Sequence, residues 1–402
     1  MTEHGSGVGP GASAPQAVPL WRRYLQRVST RGDFVSEIDG LRFIAIALVI
    51  LHHHHLMLGP AVEARGLDSL VVRVWGAVAE AGAVGVHIFF VVSGMILGMP
   101  FAAARLSGGR PVELKRYFLR RLSRLEPPYV INLTLLFSLA VLSDGMSKFS
   151  ERVGNYLASL FYLHNIIYDR WSDVNFVAWS LEVEAQFYIV APLIAALFLV
   201  RPTGVRRLLL MAVIVATTLI SPFFYVIGFR FSASLLVLAN FFFAGYLLAD
   251  LRVTGQLKPG RYAALMDVVA VLALAGVIAG RLSMLPGSPI SLEPFLILLF
   301  IWSALKSCIV LAFLRLPVIY IIGGMCYTIY LYHAWMIFGL YRVVDLGLWV
   351  QDTATFLLVS GLVFALVVLA CVPFFIFAER PFMFPDWPAR AASLWRSVRQ
   401  RA

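Results

Sequence analysis

Charge is what this sequence has least of. Only 14% of its 402 residues are Asp, Glu, Lys or Arg, whereas a soluble domain carries about a quarter. With 60% hydrophobic residues, that shortfall excludes an ordinary soluble enzyme and implies a polytopic membrane protein. Cysteine is scarce as well. Cys308, Cys326 and Cys371 lie far apart in apolar stretches, which excludes a disulfide framework or a Cys-rich metal site and leaves buried small hydrophobes. Acidic residues number 22 against 33 basic ones, for a net charge of +11. In a membrane protein such an excess gathers in cytoplasmic loops, so it is no signature of nucleic-acid binding. Residues 1–19 have no apolar core for a cleavable signal peptide. No convincing internal repeat relates the two halves, which weakens a secondary-transporter reading.

What remains is a series of apolar runs. Hydropathy predicts an all-α bundle of about ten transmembrane spans, roughly 38–58, 79–99, 127–143, 177–200, 207–227, 232–250, 262–280, 290–314, 317–340 and 354–378. The stretch 156–168 is too short to cross and reads as re-entrant or interfacial. Residues 1–34 read as a disordered, basic cytoplasmic tail whose Arg22, Arg23, Arg27 and Arg31 meet the anionic inner membrane surface. Residues 35–382 form the membrane domain, and 383–402 a second basic tail. Alternate connections are rich in Lys and Arg, among them Arg105 to Arg124, Arg201 to Arg207 and the last 23 residues, 380–402. The opposite connections hold few. This bias places both termini in the cytoplasm.

The first span carries the densest chemistry. Asp39-Gly40-Leu41-Arg42 is followed by an apolar run ending in His52, His53, His54 and His55. Ionisable groups inside a span are costly, so they mark functional sites by default. At ~100° per residue, Arg42 and His53 share one helical face about 16 Å apart, while His52 and His54 point a quarter turn to either side. Arg42 could also be an anchor that snorkels to the inner interface. Adjacent histidines diverge, so only His52 and His55 could share a metal ion from this helix.

Further polar groups punctuate later spans. The second carries His87, with Gly85, Ser93 and Gly94 as close-packing positions. Ahead of Pro127-Pro128, which read as a helix stop, Arg116, Arg120, Arg121 and Arg124 form a cluster. Guanidinium forks suit phosphate groups, although lipid headgroups could also be their partners. In the fourth span Ser180, Glu184 and Tyr188 recur at i, i+4 and i+8, a polar stripe. The ninth adds Tyr330 and His333. Counting from the span ends places His53, His87, Glu184 and His333 in the outer half, and Arg42, Ser93, Lys306 and Glu379-Arg380 toward the inside. Two polar layers of this kind suit a reaction between a cytosolic donor and an external acceptor.

In order along the chain, these motifs resemble the bacterial membrane-bound acyltransferase-3 family. The resemblance rests on Asp39-Gly40-Leu41-Arg42 with ten residues before His53, Gly85-Val86 with Phe89-Phe90 and Ser93-Gly94, and Arg121-x-x-Arg124 before Pro127 and Tyr129. It continues through Trp179-Ser180-Leu181 with Glu184, Gln186, Phe187 and Tyr188, then Tyr327 to His333, then Glu379-x-Pro381-Phe382. Glu182, Ala185 and Cys326 depart from it, standing where the family often has serine, glutamate and serine. The resemblance implies transfer of an acyl group, commonly acetyl from acetyl-CoA, to a carbohydrate hydroxyl at a bacterial inner membrane. No permanently bound cofactor or metal is expected.

On that reading His53 is the general base and Glu184 orients it or stabilises its charged form. Arg42, Arg116, Arg120, Arg121 and Arg124 bind acyl-CoA, with Ser93, Ser180, Tyr188, Tyr330 and His333 in support. The chain ends soon after its last span, so a hydrolase-like extracytoplasmic domain is not expected, and a separate extracytoplasmic transferase could complete the reaction. Two other classes fit intramembrane charges: a transporter or flippase of an acylated or sugar-linked substrate, and a heme or metal protein using His53 and His87.

Overall fold

Backbone N–H and C=O groups have no partner in hydrocarbon, so an apolar chain of this kind must coil into helices wherever it crosses. The computed structural model describes residues 20–28, 35–144, 148–283, 292–384, 386–387 and 393. Most of the expected tails, 1–34 and 383–402, lies outside the described residues. Within them the chain is helical throughout, with no strand. Eight helices or stacked helices are long and apolar enough to cross a bilayer, and nine if one bent pair is a span.

After a short helix at Leu20–Leu25, the first long helix, α1, runs Ser36–Ala64. It is followed by α2 (Leu70–Glu80) and α3 (Val84–Leu106), which stack into a single long span. Next come α4 (Leu114–Asp144), the short α5 (Phe149–Leu160) and α6 (Trp179–Ile194). Then follow α7 (Thr203–Tyr225), α8 (Leu235–Val253) and α9 (Ala263–Ser283). The last third holds α10 (Glu293–Ala304), α11 (Ile309–Leu314), α12 (Pro317–Gly324), α13 (Cys326–Val343) and α14 (Thr353–Phe374).

Three expectations change. The helix expected to stop at Pro127-Pro128 runs straight through them in α4; in a membrane bundle, neighbouring helices and water can satisfy the carbonyls that proline frees. The expected span 290–314 is broken into α10 and α11. Asp267 of α9 makes that break affordable by accepting the N–H groups of Cys308, Ile309 and Val310 at 3.2, 3.1 and 2.8 Å. The expected span 317–340 is α12 and α13, bent by 74° at Met325. The stretch 156–168 is, as read, no crossing: α5 ends in it and a five-residue helix, His164–Tyr168, follows.

α3 and α8 cross tightly. A Cβ on Gly94 would meet the Phe242 backbone, and one on Gly245 would meet Val91 and Met95. Only glycine allows that approach, which gives van der Waals packing its reach where lipid offers no hydrophobic drive. At one end of this pair Asp250 of α8 is fully buried between Arg206 and Arg207 of α7, with Arg207 Nε at 2.8 Å. A buried carboxylate with two guanidinium partners is held; with both removed it would be a strongly destabilising orphan.

The asymmetry of Lys and Arg predicts a definite orientation. Ser172 is buried against Ser159, so exposed neighbours make better probes. Single cysteines at Asp68 and Trp171, both exposed, should react with an impermeant thiol reagent in intact cells of a cysteine-free variant. A cysteine at exposed Ser107 should react only after permeabilisation, and labelling of it in sealed cells would reverse the topology.

Candidate active site

α1 brings two polar centres into the bundle. The lower one begins at Asp39, whose Oδ1 accepts Arg42 Nη1 at 2.7 Å and Arg27 Nη1 at 3.1 Å. Arg42 is one helical turn on from Asp39, so the pair forms within α1 itself. Arg27 comes from the segment before α1. Both guanidinium groups line a cavity of about 110 Å³. α4 adds Arg121 and Arg124 to its wall, α3 adds Ser93, and α6 adds Ser180, Glu184 and Tyr188. Gly324 and Cys326 at the α12–α13 bend, with Tyr327 and Tyr330, close another side, and Glu379 lies after α14.

Most polar groups in the wall are held by a nameable contact. The Ser93 hydroxyl donates to Glu184 across the α3–α6 contact. Arg121 lies over the Tyr188 ring, 5.8 Å from its centroid. Glu379 stands at the end of a π-helical turn, Phe375–Glu379, and accepts the Thr328 N–H at 3.1 Å and its hydroxyl at 2.5 Å. It thereby caps the first turn of α13, whose orphan N–H groups the 74° bend creates inside the membrane. Arg124 Nε is buried with no hydrogen-bond partner among the described residues. A desolvated guanidinium of that kind favours an anion.

Arg116 and Arg120 do not line the cavity. Relative to Arg124 they fall about 80° and 40° to one side of α4, whereas Arg121 falls about 60° to the other. The bundle takes the Arg121 side, leaving Arg116 exposed. Arg27, read from sequence as a headgroup anchor, belongs to the cavity instead. Only its distance from the apolar run concealed it.

The upper centre is a histidine pair. His333 Nε2 lies 3.2 Å from His53 Nδ1. Phe176 and Phe338 flank His53 at 5.6 and 6.2 Å between ring centroids. Hydrogen-bond accounting assigns the protons. His333 Nδ1 faces the carbonyls of Ile329 and Tyr330 at 3.1 and 2.8 Å, so it carries a hydrogen. In the neutral ring Nε2 is then an acceptor. His53 Nδ1 meets that acceptor and the Val49 carbonyl at 2.9 Å, so it too carries a hydrogen. His53 Nε2 is left with the lone pair.

Glu184 therefore belongs with the arginines and Ser93, not with His53, whose orienting partner is His333. The expected division, with Glu184 in an outer layer and the arginines in an inner one, is corrected on this point. The link between the centres is Tyr330. Its hydroxyl donates to the Val177 carbonyl at 2.9 Å and receives the Ser180 hydroxyl at 2.6 Å. Its ring packs 5.7 Å from His333.

The other histidines are engaged elsewhere. His52 contacts the Ala79 carbonyl at 3.1 Å, and His54 lies between Ser360 and Tyr341 at 3.2 and 3.1 Å. His55 meets the Trp75 edge. His87 pairs with Glu293 and stacks on Phe241, 4.4 Å away; its partner is a carboxylate rather than His53.

Fold and site thus define a polytopic helical membrane protein with an arginine-lined internal cavity beside a histidine pair, His333 buried and His53 half-buried. The chain belongs to the acyltransferase family described as "Acyltransferase domain", which matches residues 35–376. It is 28% identical over 176 residues to the peptidoglycan O-acetyltransferase OatA of Listeria monocytogenes, covering 41% of this chain and 25% of that protein. A putative O-acetyltransferase of Staphylococcus aureus strain COL is 28% identical over 173 residues, 40% of this chain and 24% of the relative. The putative membrane-bound transacylase BcsY of Komagataeibacter xylinus is 30% identical over 218 residues, 50% and 47% of the two chains. The chain thus spans between a quarter and a half of the length of these relatives. No solved structure matches it.

The tautomer assignment is open to measurement. In protein labelled with 15N-histidine, the neutral His53 ring should show the Nδ1–H pattern, and His333→Ala should disturb that resonance before any other histidine. An Nε2–H pattern at His53 would remove the lone pair from the position derived above.

Proposed function

We propose that this chain is an integral membrane O-acyltransferase of the bacterial cytoplasmic membrane. It moves an acyl group, acetyl in the simplest case, from cytosolic acyl-CoA to a hydroxyl of a cell-surface or exported carbohydrate or glycosylated product. The observation that carries this reading is the convergence of Arg27, Arg42, Arg121 and Arg124 on one cavity. Two of these guanidinium groups share the single carboxylate of Asp39, and Arg124 Nε has no hydrogen-bond partner among the described residues. A polyanionic nucleotide such as CoA supplies the missing negative charge through charge-assisted contacts.

In this reading residues 35–382 act as one catalytic domain. The donor phosphates meet Arg121 and Arg124, and the thioester arm runs past Tyr188 and Glu184 toward Ser180 and Tyr330. The Glu184–Ser93 pair balances the arginine charge and positions the donor. His53 Nε2 takes the proton of the acceptor hydroxyl as its oxygen bonds to the acyl carbon, the C–S bond breaks, and the proton passes to the departing CoA thiolate. His333 holds the His53 ring in the tautomer this needs. The name of the peptidoglycan O-acetyltransferase relative supports a carbohydrate acceptor. A separate extracytoplasmic protein could receive the acyl group before its final destination.

The test separates donor binding from chemistry, using purified, folded variants in liposomes. His53→Ala should lower acyl transfer by roughly 100- to 10,000-fold while leaving CoA affinity unchanged. Arg121→Gln with Arg124→Gln should weaken CoA binding by roughly 1.5–3 kcal/mol for each lost charged contact, with affinity falling as salt rises. Glu184→Gln, placed here in the donor cavity, should move donor affinity and turnover together. Normal turnover in His53→Ala, or unchanged CoA affinity in the double arginine variant, would overturn the corresponding assignment.

A further inference from the structure

A second, smaller pocket of about 50 Å³ branches from the arginine cavity between α4 and α6. The two share Arg121, Leu125, Leu181, Glu184, Tyr188 and Tyr327, so the branch opens at the donor end of the site. Its sides are apolar: Leu125, Leu181 and Ala185. Its far end is not, because Tyr162 and Glu126 line it and the Tyr162 hydroxyl lies against the Glu126 carboxylate. At roughly 10–15 Å³ for each water-sized group, the branch has room for about four.

The backbone shows that Tyr162 is there for its ring. Its φ is +57°, in the left-handed region. Leu163 N–H bonds the Ala158 carbonyl at 2.9 Å and Tyr162 N–H bonds that of Ser159 at 3.0 Å, a pairing that ends α5 with Tyr162 in the position glycine favours. A bulky side chain in that conformation is an outlier with a steric cost. The ring is then fixed from outside: it stacks on Tyr129 at 4.8 Å and 10°, and the Tyr129 hydroxyl donates to the Ser159 carbonyl at 2.9 Å. Strain retained at a pocket wall points to a constraint on what the pocket holds.

We infer that this branch is the acyl-chain subsite, that Ala185 opens it, and that the Tyr162–Glu126 pair is the stop that sets its length. The inference rests on the acyl-CoA reading above. A short alkyl group gains from contact with Leu125 and Leu181. A longer one must bury methylenes against a carboxylate and a hydroxyl, stripping both of their polar surroundings without replacing them. The subsite therefore accepts acyl groups of about two to four carbons and rejects longer chains.

The experiment is a donor series, acetyl-, propionyl-, butyryl- and hexanoyl-CoA, with purified protein in liposomes and folding checked by Tm. The wild type should use butyryl-CoA and discriminate against hexanoyl-CoA at least tenfold, since one methylene in a fitted pocket is worth about 10- to 200-fold. Ala185→Leu should lower the butyryl-to-acetyl ratio about tenfold by filling the branch itself. Tyr162→Gly together with Glu126→Ala removes both halves of the stop, so it should raise the hexanoyl-to-acetyl ratio about tenfold, with a lower Tm because the ring leaves its stack on Tyr129. Equal use of hexanoyl- and acetyl-CoA by the wild type overturns the inference even if neither variant folds. So do ratios within twofold of wild type in either folded variant, or an equal loss with every donor, which marks a structural role. Failure of the wild type to use any acyl-CoA is a different result, which overturns the donor reading and this inference with it.

Discussion

One carboxylate oxygen holds this architecture's polar interior together. Asp39 Oδ1 takes hydrogen bonds from Arg42 in its own helix and from Arg27 before it. Asp39 is 2% exposed, and a buried carboxylate without partners would be among the costlier groups a membrane bundle could hold. With two guanidinium groups it becomes an anchor that turns both into the same cavity. Its setting is equally demanding sterically, since a Cβ on Gly323 of α12 would collide with the Asp39 carbonyl. The electrostatic node and the closest approach of α1 to the broken α12–α13 pair are therefore one feature, and the cavity floor inherits its shape from both.

Around that node the polar groups separate by the kind of charge they can hold. The lower cavity has permanent charges, guanidinium groups set against Asp39, Glu184 and Glu379. The upper centre has none, only two imidazoles in an aromatic surround, whose protons are fixed by backbone carbonyls. Tyr330 and Ser180 join them through hydroxyls, which carry hydrogen bonds without carrying charge. In the proposed reaction, binding of a polyanion and movement of a proton would fall to different surroundings, and neither need compromise the other.

Much of this was legible from residues alone, for a definite reason: an ionisable group in an apolar run has few structural excuses. That logic selected Arg42 and Glu184; helical spacing added Arg121, Arg124, Ser180 and Tyr188, the family resemblance added Ser93 and Tyr330, and these residues line one cavity. It failed where depth had to be counted from uncertain span ends, and so it paired Glu184 with His53. It also failed where the deciding contact came from far along the chain. Asp267 breaks an expected span 41 residues away by offering its carboxylate to Cys308, and hydropathy has no means of showing that. His333 was visible as an imidazole in the outer half, but not as the partner that fixes His53.

The position of Glu379 has a consequence for how the protein is made. This carboxylate caps the interior start of α13 and completes the cavity wall, yet it follows the last long helix. Arg27 and Asp39 leave the ribosome first and can pair early, whereas the opposing wall cannot exist until almost the entire chain has been inserted. Throughout synthesis, then, the nascent bundle carries a cluster of cations with an incomplete set of counter-charges. Water, lipid phosphates or insertion machinery must shelter it. The cavity wall is thus complete only after α14 has been inserted, and a chain interrupted shortly before Glu379 would retain α1 to α14 while lacking a closed polar chamber.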